Sequence, residues 1–197
     1  GYVYSGKTAA HAYNLLLGKK FKTVVIISPS HSEYFPGICV FEGDAYETPL
    51  GLLKVDKELR ENLVTNDNVI FKGYEGHRRE HALEVQLPFL QSVLQDFKIV
   101  PVVMGDQSKR NIDALAKKLA ELADDETLIV ASSDLSHFYS KSQADKLDSV
   151  VEKRVREFDF DSLQFDLENH ACEACGGGPI VTLMKAANLK NIKHSMV

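Results

Sequence analysis

The chain has 197 residues, 44% hydrophobic and 26% charged, with a formal net charge of −5. This balance is that of a globular protein with room for a sizeable core. The negative charge and the lack of a long basic run argue against nucleic acid or an anionic membrane as the main partner, and no apolar run approaches the ~18 residues of a membrane span.

In chain order, Ser5 reads as the cap of a helix from about Lys7 to Leu17, stopped by Gly18, with His11 among its packing residues. Thr23-Val24-Val25-Ile26-Ile27 is a β-branched run expected to form a strand buried on both faces. Ser28, Pro29, Ser30 and His31 then end it, because Pro29 has no amide donor. Ile38–Phe41 predicts a short strand with Cys39 as a small buried hydrophobe. Asp44–Gly51 predicts a turn-rich excursion, Leu52–Val55 a strand, Asp56 the cap of a short helix to about Val64, and Asn68–Phe71 another strand.

Across Glu80–Leu94 the spacing of Leu83, Leu87, Leu90 and Leu94 predicts a helix kinked at Pro88, with His81 and Glu84 on one face. Lys98–Met104 and Thr127–Ala131 predict two more buried strands, with the helix Asn111–Ala123 between them. Thr127–Ala131 ends in Ser132-Ser133-Asp134-Leu135-Ser136-His137, again serines followed by a histidine. Helices are expected over Gln143–Phe158 and Asp161–Asn169, and from Pro179 to about Ala187 after Cys175-Gly176-Gly177-Gly178. Alternating strands and helices predict an α/β fold, a sandwich with helices on both faces of a mostly parallel sheet. No internal boundary or repeat interrupts residues 1–197, so one domain is expected. The start at Gly1, without Met or a leader pattern, and a strand-like close at Ile192–Val197 suggest an internal portion of a longer protein.

Three constellations carry chemistry, each with a plainer reading. His31 follows a central strand, where α/β sheets bind ligands, but this segment alone favours a loop histidine bonded to nearby backbone. Asp134 and His137 suit an acid/base or metal-supporting pair, while Asp at a strand end is also a common cap. Cys172 and Cys175 have a CxxC spacing without the second pair of a structural zinc site. Three glycines after Cys175 imply a flexible turn with close backbone approach, which favours Cys175 as a ligand or nucleophile over a packed thiol. An odd count of three cysteines points away from a secreted disulfide scaffold and toward a reducing, cytoplasmic setting. No phosphate-cradling loop of the P-loop or GxGxxG type and no GxSxG elbow occurs. His31, His81, His137 and Cys175, with Asp134 and Glu84, form a donor set suited to iron, copper or zinc.

Six stretches, in order, resemble the Memo family: Gly1-Tyr2-Val3-Tyr4-Ser5-Gly6, Ser28-Pro29-Ser30-His31, Tyr46-Glu47-Thr48-Pro49-Leu50-Gly51, Glu80-His81-x-x-Glu84-x-Gln86-Leu87-Pro88, Ser132-Ser133-Asp134-Leu135-Ser136-His137 and Cys175-Gly176-x-x-Pro179-Ile180. That family is similar to class III extradiol dioxygenases, non-haem iron enzymes with a three-layer α/β/α architecture. The resemblance implies a metal centre held by His31 and Cys175, with a third histidine two residues ahead of the Gly1 stretch. It gives His137 the acid/base position and places His81 and Asp134 along the same pocket. Where the dioxygenases use a carboxylate the matching ligand here is a thiolate, which favours copper or an altered iron potential, so ring cleavage is not implied. The expected function is a redox-type, metal-binding protein with iron or copper (zinc as a further option), acting on an unknown small molecule or peptide. The alternative is a non-catalytic module that binds a peptide or protein in the same crevice.

Overall fold

A computed structural model describes residues 1–196. Its centre is β1, Thr23–Pro29, buried along its whole length. Strand side chains alternate between faces. Val24 and Ile26 therefore join one apolar cluster, with Ile99 and Leu87, while Val25 and Ile27 join a second, with Val102 and Leu115. A strand flanked by two cores must lie inside the sheet. β1 pairs in parallel with β6, Lys98–Met104, and with β7, Thr127–Ala131. Beyond β6 lie β2, Ile38–Phe41, antiparallel to it, and β5, Ile70–Gly73, parallel to β2. The spatial order is β5-β2-β6-β1-β7.

One face of this mixed, mostly parallel sheet is covered by α1, Tyr2–Asn14, by α3, Leu87–Val93, and by a hairpin of β3, Ala45–Thr48, and β4, Gly51–Lys54. The other face carries α2, Lys57–Leu63, α4, Lys109–Leu122, α5, Lys141–Arg156, α6, Phe160–Glu168, and α7, Gly177–Leu189. The result is the expected three-layer α/β/α sandwich. Among the described residues, no helix is long and apolar enough to cross a membrane.

Several local expectations are corrected. Helix α1 starts at Tyr2, so Ser5 is inside it, its hydroxyl donating to the Gly1 carbonyl at 3.2 Å rather than capping the helix, and His11 is exposed. Half of the Asp44–Gly51 excursion is strand, closed by Gly51 at a φ of 117° that favours glycine. The segment from Glu80 is not one kinked helix. A single 3-10 turn at Glu84–Gln86 leads into α3, and Pro88 sits in its first turn, where a missing N–H costs nothing. His81 therefore precedes the helix and shares no helical face with Glu84, although Leu83, Leu87, Leu90 and Leu94 are buried as their spacing implied. The triple glycine is not a flexible turn: Gly176 caps α7, and Gly177 and Gly178 form its start. Ile192–Met196 form no strand, and Val197 lies outside the described residues.

The β3–β4 hairpin is tied to the sheet by His77. Its Nε2 faces the Cys39 carbonyl at 3.3 Å and must be the protonated nitrogen, so Nδ1 accepts the Tyr46 hydroxyl at 2.8 Å. Burial pushes the His77 pKa down from 6.5 to about 4. Between those values the unfolded chain takes a proton that the folded chain refuses, so stability falls as pH falls. The loss attributable to His77 should reach up to about 3 kcal/mol. Urea denaturation at about pH 7 and about pH 4.5 should show a markedly smaller loss for His77→Gln than for the unaltered chain.

Candidate functional site

Because β1 and β7 are parallel neighbours, both deliver their following loops to the same edge of the sheet. The pairing continues one step past the ladder, where the Ser132 amide donates to the Ile27 carbonyl at 2.8 Å. Ligand crevices of α/β sheets form at such carboxyl ends.

The loop after β1 presents His31 against Glu80, which is 5% exposed. The backbone N–H of His31 donates to Glu80 Oε2 at 2.6 Å, and the His31 ring Nδ1 lies 3.0 and 3.2 Å from the two carboxylate oxygens. The backbone amides of His81 and Ala82 donate to Oε1 at 2.9 and 2.8 Å. Burial works to raise the Glu80 pKa, but the Ala82 and His31 amides and the His31 ring together hold it below the usual carboxylate range. The His31 and His81 rings stack, with centroids 5.8 Å apart.

The loop after β7 holds Cys175. The Asp134 amide donates to Cys175 Sγ at 3.1 Å, and the Cys175 amide returns a bond to the Asp134 carbonyl at 3.2 Å. The Gly176 amide donates to Ser133 Oγ at 2.9 Å. Gln107 bridges the same turn, donating to the Cys175 carbonyl at 2.9 Å and accepting from the Gly178 amide at 2.6 Å. The glycines are needed for this closeness. A Cβ at Gly176 would run into the Ser132 carbonyl, one at Gly177 would meet Leu167 at 2.7 Å, and one at Gly178 would meet Gln107 at 2.8 Å.

Ser132 joins the loop after β7 to the segment that carries Glu80: its hydroxyl donates to the Ala82 carbonyl at 2.8 Å and accepts from Gln86 Nε2 at 2.9 Å. His31 with His81, and Cys175 with Asp134, are therefore tethered through Glu80, Ala82 and Ser132 by hydrogen bonds, and from Ser132 to Asp134 by three residues of backbone.

Of the three thiols, Cys175 is the partly exposed one. Burial pushes the Cys172 thiol up to about 11, and burial together with Glu75 pushes Cys39 up as well. Both remain protonated packing groups, so the CxxC spacing does not present two comparable thiols. A cleft of about 430 Å³ opens beside Cys175 and His137, floored by Ile112, Leu167 and Val181. His31 and His81 are not among its lining residues. His137 Nε2 is 3.6 Å from Asp134 Oδ2, longer than a hydrogen bond. Among the described residues, no three His, Cys, Asp or Glu side chains group closely enough to hold a metal ion. The arrangement offers instead an oriented imidazole and an oriented sulfur, donors suited to iron, copper or zinc.

Sequence reasoning passed over Glu80, Gln107 and Ser133. Glu80 and Ser133 stood inside quoted motifs without a role, since their partners are 49 and 43 residues away in the chain. Gln107 carried no local signal.

A family model described as "Memo-like protein" matches residues 1–197. A "MEMO1 family protein" of Methanobrevibacter smithii is 38% identical over 188 residues, covering 93% of this chain and 67% of the relative. Relatives of the same description from Thermoplasma volcanium and Nitrosopumilus maritimus are 36% and 34% identical, each covering 100% of this chain and 73% of the relative.

The tight packing around Gly176 makes it a sensitive position. Gly176→Ala should lower unfolding stability by about 1–3 kcal/mol through overpacking. It should also speed the reaction of Cys175 with a thiol reagent, because the Asp134 amide would no longer sit on the sulfur. Unchanged stability and labelling would contradict the packing described.

Proposed function

The chain belongs to the family of Memo-like proteins, and on that premise we propose that it is a metal-binding protein of redox type, holding iron or copper through His31 and Cys175. In the family pattern a histidine two residues ahead of the Gly1 stretch is the third ligand. The observation that supports the proposal is the donor pair itself. His31 follows β1 and is held by the Glu80 carboxylate, while Cys175, in the turn that opens α7, is held by the amide of Asp134 in the loop after the neighbouring parallel strand β7. Ser132, at the start of that loop, bonds to Ala82 and Gln86 in the segment that carries Glu80. An imidazole with a sulfur is a borderline-soft set that suits copper and iron over magnesium or calcium. Bound there, a redox metal would supply one-electron chemistry.

The chain's own residues supply the rest. His137 lines the cleft beside Cys175 with its ring partly open to solvent, and there it can take or give a proton at Nε2. Asp134 is placed to bias that ring electrostatically across 3.6 Å. His81 stacks on His31, with ring centroids 5.8 Å apart. The ligand of the cleft is a small molecule or a short peptide. The rival reading, a peptide-binding module without turnover, draws on the exposed Leu135, Phe138 and Tyr139 beside His137.

Metal analysis of the full-length protein tests the proposal. Iron or copper should co-purify in near-stoichiometric amount and fall several-fold in both His31→Ala and Cys175→Ser. If neither substitution changes the iron or copper content, the reading is lost. Zinc retained with no redox response would also overturn it, in favour of a hydrolytic site.

A further inference from the structure

We propose that Glu80 is the positioning residue of His31, holding its imidazole in the tautomer protonated at Nδ1 and leaving Nε2 as the nitrogen available to a ligand. The geometry carries this. The Glu80 carboxylate is almost completely buried, and its oxygens accept from the backbone amides of His31, His81 and Ala82. Those three amides alone would satisfy a carboxylate whose only duty was to close the turn. The His31 ring adds a fourth partner, with Nδ1 facing both oxygens at 3.0 and 3.2 Å. An ionised carboxylate only accepts, so Nδ1 must be the donor. The ring then has one nitrogen left, Nε2, and His31 keeps two-fifths of its side chain open to solvent.

The same carboxylate also accepts from the backbone amide of His81, whose ring stacks on that of His31. A histidine fixed through one nitrogen by a carboxylate and open at the other is the device by which proteins orient a metal-binding imidazole and raise its basicity. The consequence for metal affinity rests on the reading of His31 as a ligand, whereas the tautomer is a property of the metal-free chain.

The two are separated by experiment. Nitrogen-15 NMR of the imidazoles, on metal-free protein at a pH where they are neutral, should show His31 protonated at Nδ1 and bare at Nε2. Glu80→Gln should shift His31 toward the opposite tautomer, while Glu80→Asp, which keeps the charge, should restore much of the original state. If His31 in the unaltered protein carries its proton on Nε2, the proposal is overturned, whether or not either variant folds. It is equally overturned if a folded Glu80→Gln leaves the tautomer unchanged. In metal titrations of the full-length protein, Glu80→Gln should weaken affinity about 10–100-fold. A correct tautomer with no metal binding at all would leave this inference standing and remove only the metal assignment.

Discussion

The parallel pairing of β1 with β7 is the constraint from which the site follows. β1 is buried on both faces, and Val24–Ile27 at its centre are accordingly apolar. Polar side chains then gather at the carboxyl end, with Ser28 in the last paired residues of the strand and His31 in the loop beyond it. The same holds for β7, where Ala131 gives way to Ser132, Ser133 and Asp134. Because the two strands run side by side in register, Ile27 opposite Ala131, these changes of chemistry fall at the same edge.

Backbone amides then do most of the work of placing the functional atoms. Cys175 Sγ is held by the Asp134 amide, and Glu80 by the amides of His31, His81 and Ala82. Amide donors are set by the chain path, so they position an acceptor with little side-chain entropy to lose. This also accounts for the glycines after Cys175. Helix α7 must approach the end of β7 so closely that a Cβ at Gly176 would collide with the Ser132 carbonyl. Glycine is a poor helix former, yet Gly177 and Gly178 begin a helix here because tertiary packing outweighs local propensity.

Much of the framework was legible in the sequence. The continuous apolar runs of β1, β6 and β7, and the alternation of strands with helices, led directly to the three-layer sandwich. Of the residues expected to share one crevice, His31, His81, His137 and Cys175, the cleft is lined by His137 and Cys175 but not by His31 or His81. What was hidden depends on distant contacts or on competing local signals. Glu80 is recognisable as a positioning group only once His31, 49 residues away, is seen against it. Pro88 is compatible with either a kink or a helix start, and only packing decides. The polar, turn-forming residues of Asp44–Gly51 concealed a hairpin because β3 is only half buried and shows no apolar alternation.

The central proposal is that His31 and Cys175 bind the same metal ion. X-ray absorption at the metal edge of the iron- or copper-loaded full-length protein tests it most directly. The account predicts one sulfur neighbour together with imidazole nitrogen in the first coordination shell, the sulfur vanishing in Cys175→Ser. A shell of oxygen and nitrogen alone in the unaltered protein would contradict it.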